Sequence, residues 1–394
     1  MERRTEGVGN TCGAGNSLEY CGIIHPSSLA KESLGIKGNS AGMTLWTVTS
    51  LPGLIAQLPS PSRSLIDRLF TVSVREGELD IPPGMKSGDR DFHEFERQQI
   101  VRVTNRITLE STLFNELRAQ RPLDTYADPG IAIDIEKSRG GAFCHPLTQT
   151  PADRFGRVEG TYCLTAANLA KYDHLHAVLI FRDYDPYLWE EEKIRDLLDV
   201  AHHWCTLAHH QDPAARYPFI MWNCLWRAGA SIIHGHAQVL LAVEPYRAVE
   251  VLHRAVAAYQ MEHGSDYLED LILAHQHMGL TERCGDATIL AYLTPIKEKE
   301  VMIISRSMEC LPPAITRALS TYHHLGVQSF NLAILMPPLG STGHLVTRIV
   351  DRGDLASRSS DIGGMELYSG TSVVSSDPFR LIEAIRQHSP ASPS

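Results

Sequence analysis

The sequence of 394 residues lacks several features that would assign it to a common class of protein. It has no run of about 18 consecutive apolar residues, the length that a membrane-spanning helix needs. Its start, MERRTEGVGNTCGAGNS, contains no apolar segment typical of a secretory signal. It also lacks excess positive charge, because the formal net charge is −10. We therefore expect no membrane partner and no nucleic-acid partner, since phosphate backbones are held by fields of Lys and Arg.

The cysteines show no pairing pattern. Eight of them are scattered along the chain, and no two have C-x-x-C spacing. A large acidic chain with dispersed cysteines is typical of a cytoplasmic protein with free thiols, not of a disulfide-linked secreted domain. A cytoplasmic location is therefore predicted.

The composition of the chain changes after its first 60 residues. Residues 1–60 are rich in Gly, Ser, Asn and Pro and lack sustained periodicity, so we predict a loosely ordered extension there. In Asp91–Pro122 the apolar positions recur at mixed spacings of three and four, which favours a helix with Pro122 as its stop.

From residue 176 onwards, the same order of elements occurs twice. Each pass is predicted as strand, helix, strand, strand. The first pass comprises His176–Phe181, Glu190–His210, Tyr217–Asn223 and His236–Glu244, and the second comprises Glu300–Ser305, Pro312–Gln328, Ser329–Pro338 and His344–Val350. This order predicts an α+β fold with two half-domains, each an antiparallel sheet with a helix packed on one face. We place the halves at residues 61–250 and 251–394.

The most informative stretch is NCLWRAGASIIHGHAQVLLA, residues 223–242. On a strand, side chains alternate faces, so His234, His236 and Gln238 would point the same way. Three polar groups on one face of an apolar strand are costly unless something binds them. In the loop before them, Gly229 and Ser231 are small enough for backbone N–H groups to approach an anion.

This arrangement suits the transfer of a nucleotide. A neutral histidine can attack an α-phosphorus and form a covalent phosphoramidate, which divides one transfer into two steps. The amide of Gln238 could then donate hydrogen bonds to the non-bridging phosphate oxygens.

The motif G-A-S-x-x-H-x-H-x-Q, residues 229–238, resembles the active-site signature of the galactose-1-phosphate uridylyltransferase branch of the histidine-triad superfamily. That branch includes diadenosine tetraphosphate phosphorylases and sugar-nucleotide phosphorylases. The resemblance implies that His236 is the nucleophile and that Gln238 contacts the transferred phosphate. It also implies that Ser231 and Asn223, which stands thirteen residues before His236, help to hold the phosphates.

A second segment supports the resemblance. Residues 167–186, ANLAKYDHLHAVLIFRDYDP, are similar to a segment of the family's first half, with Asn168 and His176 at the nucleotide-contacting places. The resemblance covers roughly residues 92–386 and implies two histidine-triad-like halves in one pseudo-symmetric unit. The implied partners are a nucleotide or nucleotide-sugar substrate and a phosphorylated acceptor, and a homodimer is the oligomeric state we consider.

The sequence also departs from the family at its metal sites. The family's C-x-x-C pair is reduced to Gly141 and Cys144, and a further ligand histidine is replaced by Tyr184. A structural zinc ion needs four ligands, so we expect no bound metal and no other cofactor. Ser372 replaces a substrate-contacting glutamine, and the second half retains only His344 of its H-x-H pair.

Three other interpretations remain besides a nucleotidyl-transferring enzyme. A nucleotide-binding protein without catalysis could have kept the cleft while losing the metals and the specificity residues. The sequence GNSAG, residues 38–42, matches a serine-hydrolase motif, although its flanks predict neither the strand nor the helix that the motif requires. The histidines of one helix, at 202, 203, 209 and 210, could form a metal stripe, although exposed surface histidines fit the pattern better.

Overall fold

The computed structural model contains two sheets and describes residues 46–82, 95–120, 130–187, 189–357 and 359–388. All of these residues belong to the unit Met43–Ser394. The α-helices are Leu51–Gln57 (α1), Ser60–Leu69 (α2), Ile131–Lys137 (α3), Pro146–Gln149 (α4), Glu191–Gln211 (α5), Arg247–His263 (α6), Tyr267–His277 (α7), Leu311–His324 (α8) and Pro378–Gln387 (α9).

The strands divide between a small sheet and a large one. The small sheet has the order β1-β2-β3-β13 and comprises Phe70–Glu78 (β1), Arg97–Asn105 (β2), Ser111–Phe114 (β3) and Thr371–Val374 (β13). The strands of the large sheet are Cys163–Ala167 (β4), His176–Phe181 (β5), Tyr217–Cys224 (β6), His236–Ala242 (β7), Thr281–Cys284 (β8), Ala287–Ala291 (β9), Val301–Ser305 (β10), Phe330–Leu335 (β11) and Leu345–Asp351 (β12).

The large sheet consists of two similar half-sheets joined edge to edge. Its order is β4-β5-β7-β6-β11-β12-β10-β9-β8, and the halves meet where β6 pairs with β11 in antiparallel orientation. Read outwards from this seam, β6, β7, β5 and β4 correspond to β11, β12, β10 and β9. The predicted repeat is therefore confirmed, and so is the α+β fold with two pseudo-symmetric halves.

Helices α5 and α8 pack against one face of the large sheet, and the second half-sheet also buries residues of its other face, such as Met302 and Val346, in the core. Ala237 and Val239 of β7 belong to this core, as do Trp204 of α5 and Trp222 of β6. Because strand side chains alternate, the residues between them point to the opposite face. That opposite face carries His236 and Gln238, the polar residues of β7.

The predicted helix at Asp91–Pro122 is wrong for residues 97–114, and only Glu116–Gln120 forms a short 3-10 helix. Residues 97–114 form the hairpin β2–β3 instead. In β2, Val101 and Val103 are buried while Arg102 between them is exposed, which is the two-residue alternation of a strand. Over this short segment, apolar spacings of three and four did not distinguish a helix from a strand.

The predicted loose extension at residues 1–60 also needs correction. Residues 1–45, and with them the GNSAG motif, lie outside the described residues. Residues 46–60 are ordered, because α1 buries Leu51 and Leu54 in the core and the backbone N–H of Val48 donates to Asp377 at 2.8 Å.

The predicted division between residues 250 and 251 does not follow the fold. It falls inside the continuous helix α6. In addition, β13, near the end of the chain, pairs in parallel with β3 of the first half. The halves share a sheet seam and a small sheet, so no single cut separates them. Among the described residues, no helix is long and apolar enough to span a bilayer.

Candidate active site

His236 is the first residue of β7, and its backbone neighbours fix its tautomer. Its Nδ1 lies 2.7 Å from the carbonyl oxygen of His234. A carbonyl oxygen can only accept, so Nδ1 carries the hydrogen and donates it. In the neutral ring, Nε2 is then the nitrogen with the free lone pair. The side chain of His236 is only 8% exposed, and it lines a cavity. The residue that carries this lone pair is therefore buried at the wall of that cavity.

His234 is held in the opposite tautomer. Its Nε2 lies 2.7 Å from the carbonyl oxygen of Phe181, so Nε2 is the donor. Its Nδ1 lies 3.5 Å from the Sγ of Cys144, which places the thiol as the donor to this nitrogen. His234 is 2% exposed and does not line the cavity. Its carbonyl group orients His236, while its own ring is committed to other partners.

Gln238 is oriented by His176 from the neighbouring strand β5. The backbone N–H of Tyr172 donates to Nδ1 of His176 at 3.0 Å, so the ring hydrogen is on Nε2. This Nε2 donates to the Oε1 of Gln238 at 2.8 Å. The amide oxygen of Gln238 is therefore occupied, and its NH₂ group is left for the cavity. Asn168 packs beside the pair, with its Nδ2 3.2 Å from Nε2 of His176.

Burial keeps these imidazoles neutral. Loss of solvent lowers the pKa of His236, and it lowers the pKa values of His234 and His176 as well. The hydrogen bond from His236 to a carbonyl group favours the charged ring, but its effect is smaller than that of burial. A neutral His236 is the form that can act as a nucleophile.

The cavity in front of β7 has a volume of about 350 Å³. Five of the eight predicted site residues line it, namely Asn168, Gly229, Ser231, His236 and Gln238. Gly229 has a φ of 94°, a left-handed conformation that favours glycine and turns the loop towards Ser231. None of the described residues that line the cavity is Lys or Arg, so Ser231, Gln238 and backbone N–H groups are the donors available to an anion.

Asn223 is near the seam between the halves, and it does not line the cavity. Its Oδ1 accepts a hydrogen bond of 2.7 Å from the Nδ2 of Asn331, a residue of β11. The same Nδ2 donates to the carbonyl oxygen of Ala228, just before the Gly229 loop, at 2.9 Å. Arg352 donates to the Oδ1 of Asn331 and forms an ion pair with Asp361. Asn331 thus connects Asn223 and the loop to the second half, a role that the sequence did not indicate.

Two aromatic residues were also missed. Phe143 packs edge-on against His236, with 5.2 Å between ring centroids, and lines the cavity. Tyr172 lies over His176 at 4.8 Å and remains 70% exposed at the cavity rim. In the sequence, the one feature that could have indicated them is their position near Cys144 and His176. Arg227, which precedes the Gly229 loop, donates to the carbonyl oxygen of Ser359 and does not line the cavity.

Tyr184 and Cys144, which the resemblance placed at metal-ligand positions, have side-chain partners within the protein. Tyr184 donates to Glu136 at 3.1 Å and accepts from Arg139 at 2.9 Å. Cys144 and His234 contact each other, but two ligands do not complete a zinc site. Within the described ranges, no group of three or more His, Cys, Asp or Glu side chains is placed to hold a metal ion.

Comparison with known proteins shows which solved structures have a similar fold. No family model matches the chain, and no curated protein does. Among solved structures, an ADP-glucose phosphorylase from Arabidopsis thaliana with bound ADP-glucose gives a TM-score of 0.55 at 18% identity, over 71% of this chain and 96% of that one. A GalT-like protein from the same plant gives 0.53 at 16% identity, over 73% and 99%. A uridylyltransferase structure gives 0.52 at 14% identity, over 73% and 98%.

The chain has the galactose-1-phosphate uridylyltransferase-like fold. The resemblance first seen in the motif is thereby confirmed for the architecture. At these identities the likeness concerns the fold alone, so the chemistry has to be argued from the cavity and its residues.

Proposed function

We propose that this protein is a nucleotidyltransferase or nucleotide-sugar phosphorylase that works through a covalent nucleotidyl-His236. The observation that carries the proposal is the tautomer of His236. Its Nδ1–H is bound to the carbonyl oxygen of His234 at 2.7 Å, which leaves Nε2 as a lone-pair donor on a cavity-lining residue. A nucleophilic nitrogen oriented in this way is what the first half of a two-step transfer needs.

In the first step, Nε2 of His236 attacks the α-phosphorus of a nucleotide donor. A P–N bond forms while the bond from this phosphorus to the bridging oxygen breaks, and the other phosphate leaves with that electron pair. The imidazole becomes positively charged, and the hydrogen bond from Nδ1 to the His234 carbonyl stabilises that charge. In the second step, an oxygen of a phosphorylated acceptor attacks the same phosphorus and the P–N bond breaks.

Gln238 and the loop stabilise the phosphoryl group during both steps. Because His176 occupies the Oε1 of Gln238, the NH₂ group can donate to the non-bridging oxygens, where charge shifts in the transition state. Ser231 and the backbone after Gly229 supply further donors. Leu169 and Tyr172, 89% and 70% exposed at the rim, offer an apolar surface to the base.

The acceptor should be a phosphate or a sugar phosphate. A neutral amide at Gln238 cannot protonate a leaving group, so the reaction favours phosphate groups, which need little protonation. One structural neighbour is an ADP-glucose phosphorylase, which makes a nucleoside diphosphate sugar the first donor to test.

The test is intact-mass analysis after incubation with nucleoside diphosphate sugars and dinucleoside polyphosphates. We expect a gain of one nucleoside monophosphate with the correct donor. The adduct should decay slowly in buffer and much faster with inorganic phosphate or a sugar 1-phosphate. Decay that is fast in water and indifferent to both acceptors would assign the protein to the hydrolases instead.

A further inference from the structure

The second half carries a polar pair at the place that corresponds to His176 and Gln238. In the first half, these two residues directly precede Ala177 and Val239, which are opposite each other on β5 and β7. In the second half, Val301 and Ile349 are opposite each other on β10 and β12. The residues that directly precede them are Glu300 and Arg348, and these two form an ion pair.

This ion pair belongs to a larger buried network that is not fully paired. Arg348 donates through Nε to Glu300 and through Nη1 to Glu110. Its Nη2 is buried, and none of the described residues accepts a hydrogen bond from it. Glu110 also accepts from Tyr292 at 2.7 Å and from Thr108 at 3.2 Å. A carboxylate has about four lone-pair sites, so with three donors it keeps one acceptor position.

An apolar cavity of about 360 Å³ adjoins this network. It lies between helix α6 and the cleft face of the second half-sheet, and its apolar lining includes Leu252, Leu271, Met302 and Val346. Helix α6 packs loosely above it, because only Val249 and Tyr259 of its 17 residues are buried. A helix that stands away from the sheet leaves room for a ligand beneath it.

We propose that this second cleft, formed by α6, α7, β10, β12 and the Thr108–Glu110 loop, binds an uncharged planar molecule with an amide-type edge, such as a nucleobase. On such an edge a carbonyl oxygen is beside an N–H group. The carbonyl accepts from the guanidinium of Arg348, and the N–H donates to the carboxylate of Glu110. The apolar walls and the ring of Tyr292, 5.3 Å from the guanidinium carbon, then cover the faces of the ligand.

The charges of the network favour a neutral ligand over an anion. Two carboxyl groups, Glu110 and Glu300, already face the single positive charge of Arg348. Burial raises the pKa of Glu300, which limits the excess negative charge without creating a free positive one. Of the two arginines that line the cavity, the buried Arg348 is therefore already paired, and the exposed Arg247 is left for a phosphate or carboxylate ligand.

The experiment is a calorimetric or NMR titration of the full chain with 1-methyluracil, whose single N–H, at N3, lies between two carbonyl groups, and with 1,3-dimethyluracil, which lacks that N–H. Ala248 lines the mouth of the cavity and is exposed, so Ala248→Phe fills the cleft without touching the buried network. The matched control is Ala257→Phe. Ala257 is exposed on the same helix and lies nine residues further on, which places it on the opposite side at about 3.6 residues per turn.

The wild-type chain and Ala257→Phe should bind 1-methyluracil, whereas Ala248→Phe should lose that site or bind about tenfold more weakly. The dimethyl compound should bind poorly to all three. Adduct formation at His236 should be equal in both variants, so failure here would not reflect on the proposed transfer reaction. No binding to the wild type, equal binding to Ala248→Phe, or equal binding of both compounds would overturn the proposal.

Discussion

The two halves of the large sheet have the same strand arrangement and differ in their chemistry at corresponding positions. In the first half, His176 and Gln238 are a neutral pair with an amide group left for the cavity. In the second half, Glu300 and Arg348 are an ion pair. Two residues before Gln238 is His236, and two residues before Arg348 is Val346. At this position beside the polar pair, the first half therefore has a histidine and the second half has a valine.

This difference teaches which part of the fold carries the proposed chemistry. The strand arrangement alone cannot account for the proposed chemistry, because both halves have the same arrangement. A neutral environment keeps His236 unprotonated and does not repel an incoming phosphate, whereas the carboxylates of the second half would repel one. Substitutions in the first half should thus slow the proposed reaction, whereas substitutions in the second half should leave its rate unchanged. The exceptions are second-half residues that form hydrogen bonds across the seam.

The largest contrast is expected between histidines of the two halves. Replacing His236 with asparagine removes the nucleophilic Nε2, so adduct formation should fall by about 10⁴-fold or more. His344, directly before β12, is bound to Glu269 at 2.9 Å, and its replacement with asparagine should leave the adduct rate near that of the wild type. Time-resolved intact-mass measurements on both variants test this contrast. Comparable rates in the two variants would remove the distinction between the halves.

Replacing Gln238 should have the next largest effect. Gln238→Met keeps the length of the side chain and removes the NH₂ donor, so adduct formation should slow by about 10²–10³-fold, as for other donors to a developing charge. The donor concentration at half-maximal rate should change much less. A large change in this concentration with an unchanged maximal rate would instead mean that Gln238 acts in ground-state binding only.

A smaller loss should follow from the seam residue Asn331. Asn331→Asp can still accept from Arg352, but it cannot donate to Asn223 and Ala228. Loss of a hydrogen bond of this kind should slow adduct formation by about tenfold, and Asn331→Leu should slow it at least as much. Thermal unfolding of both variants serves as the control. Wild-type rates in a folded Asn331→Asp protein would show that the second half does not support the site.

The pH dependence should show the smallest effect. Burial lowers the pKa of His236, so its neutral form persists to lower pH than in an ordinary histidine. Adduct formation should therefore keep more than half of its maximal rate at pH ~6.5, and at pH ~6 it should keep more than the roughly one quarter expected of an unperturbed ring. Rates measured across this range, with circular dichroism to monitor folding, test the direction. A midpoint at or above pH ~6.5 would contradict it.

The repeat and the core motif could be predicted because their signals are local. The apolar runs at His176–Phe181 and His236–Ala242 indicate strands without knowledge of the rest of the chain, and strand geometry then places His236 and Gln238 on one face. Likewise, the spacing from Gly229 to Gln238 is enough to gather the loop and the strand. The hairpin β2–β3 was predicted wrongly because its apolar spacing also fits a helix, and its burial depends on the sheet that it joins.

The seam and the second cleft could not be predicted from the sequence. Asn331 is 108 residues from Asn223, and only the pairing of β6 with β11 brings the two amides together. The network around Arg348 joins Glu110 and Glu300, which come from different parts of the chain. Each of these residues on its own resembles an ordinary surface side chain. Their partners become evident only in three dimensions.

The most direct test of the central claim locates the covalent nucleotide. The protein is incubated with ADP-glucose or the donor found by intact mass, digested under mildly alkaline conditions, and mapped by tandem mass spectrometry. We expect one nucleoside monophosphate per chain, attached to His236, with His234 and His176 unmodified. A nucleotide on any other residue, or turnover of the donor by a chain that never carries one, would contradict the proposed mechanism.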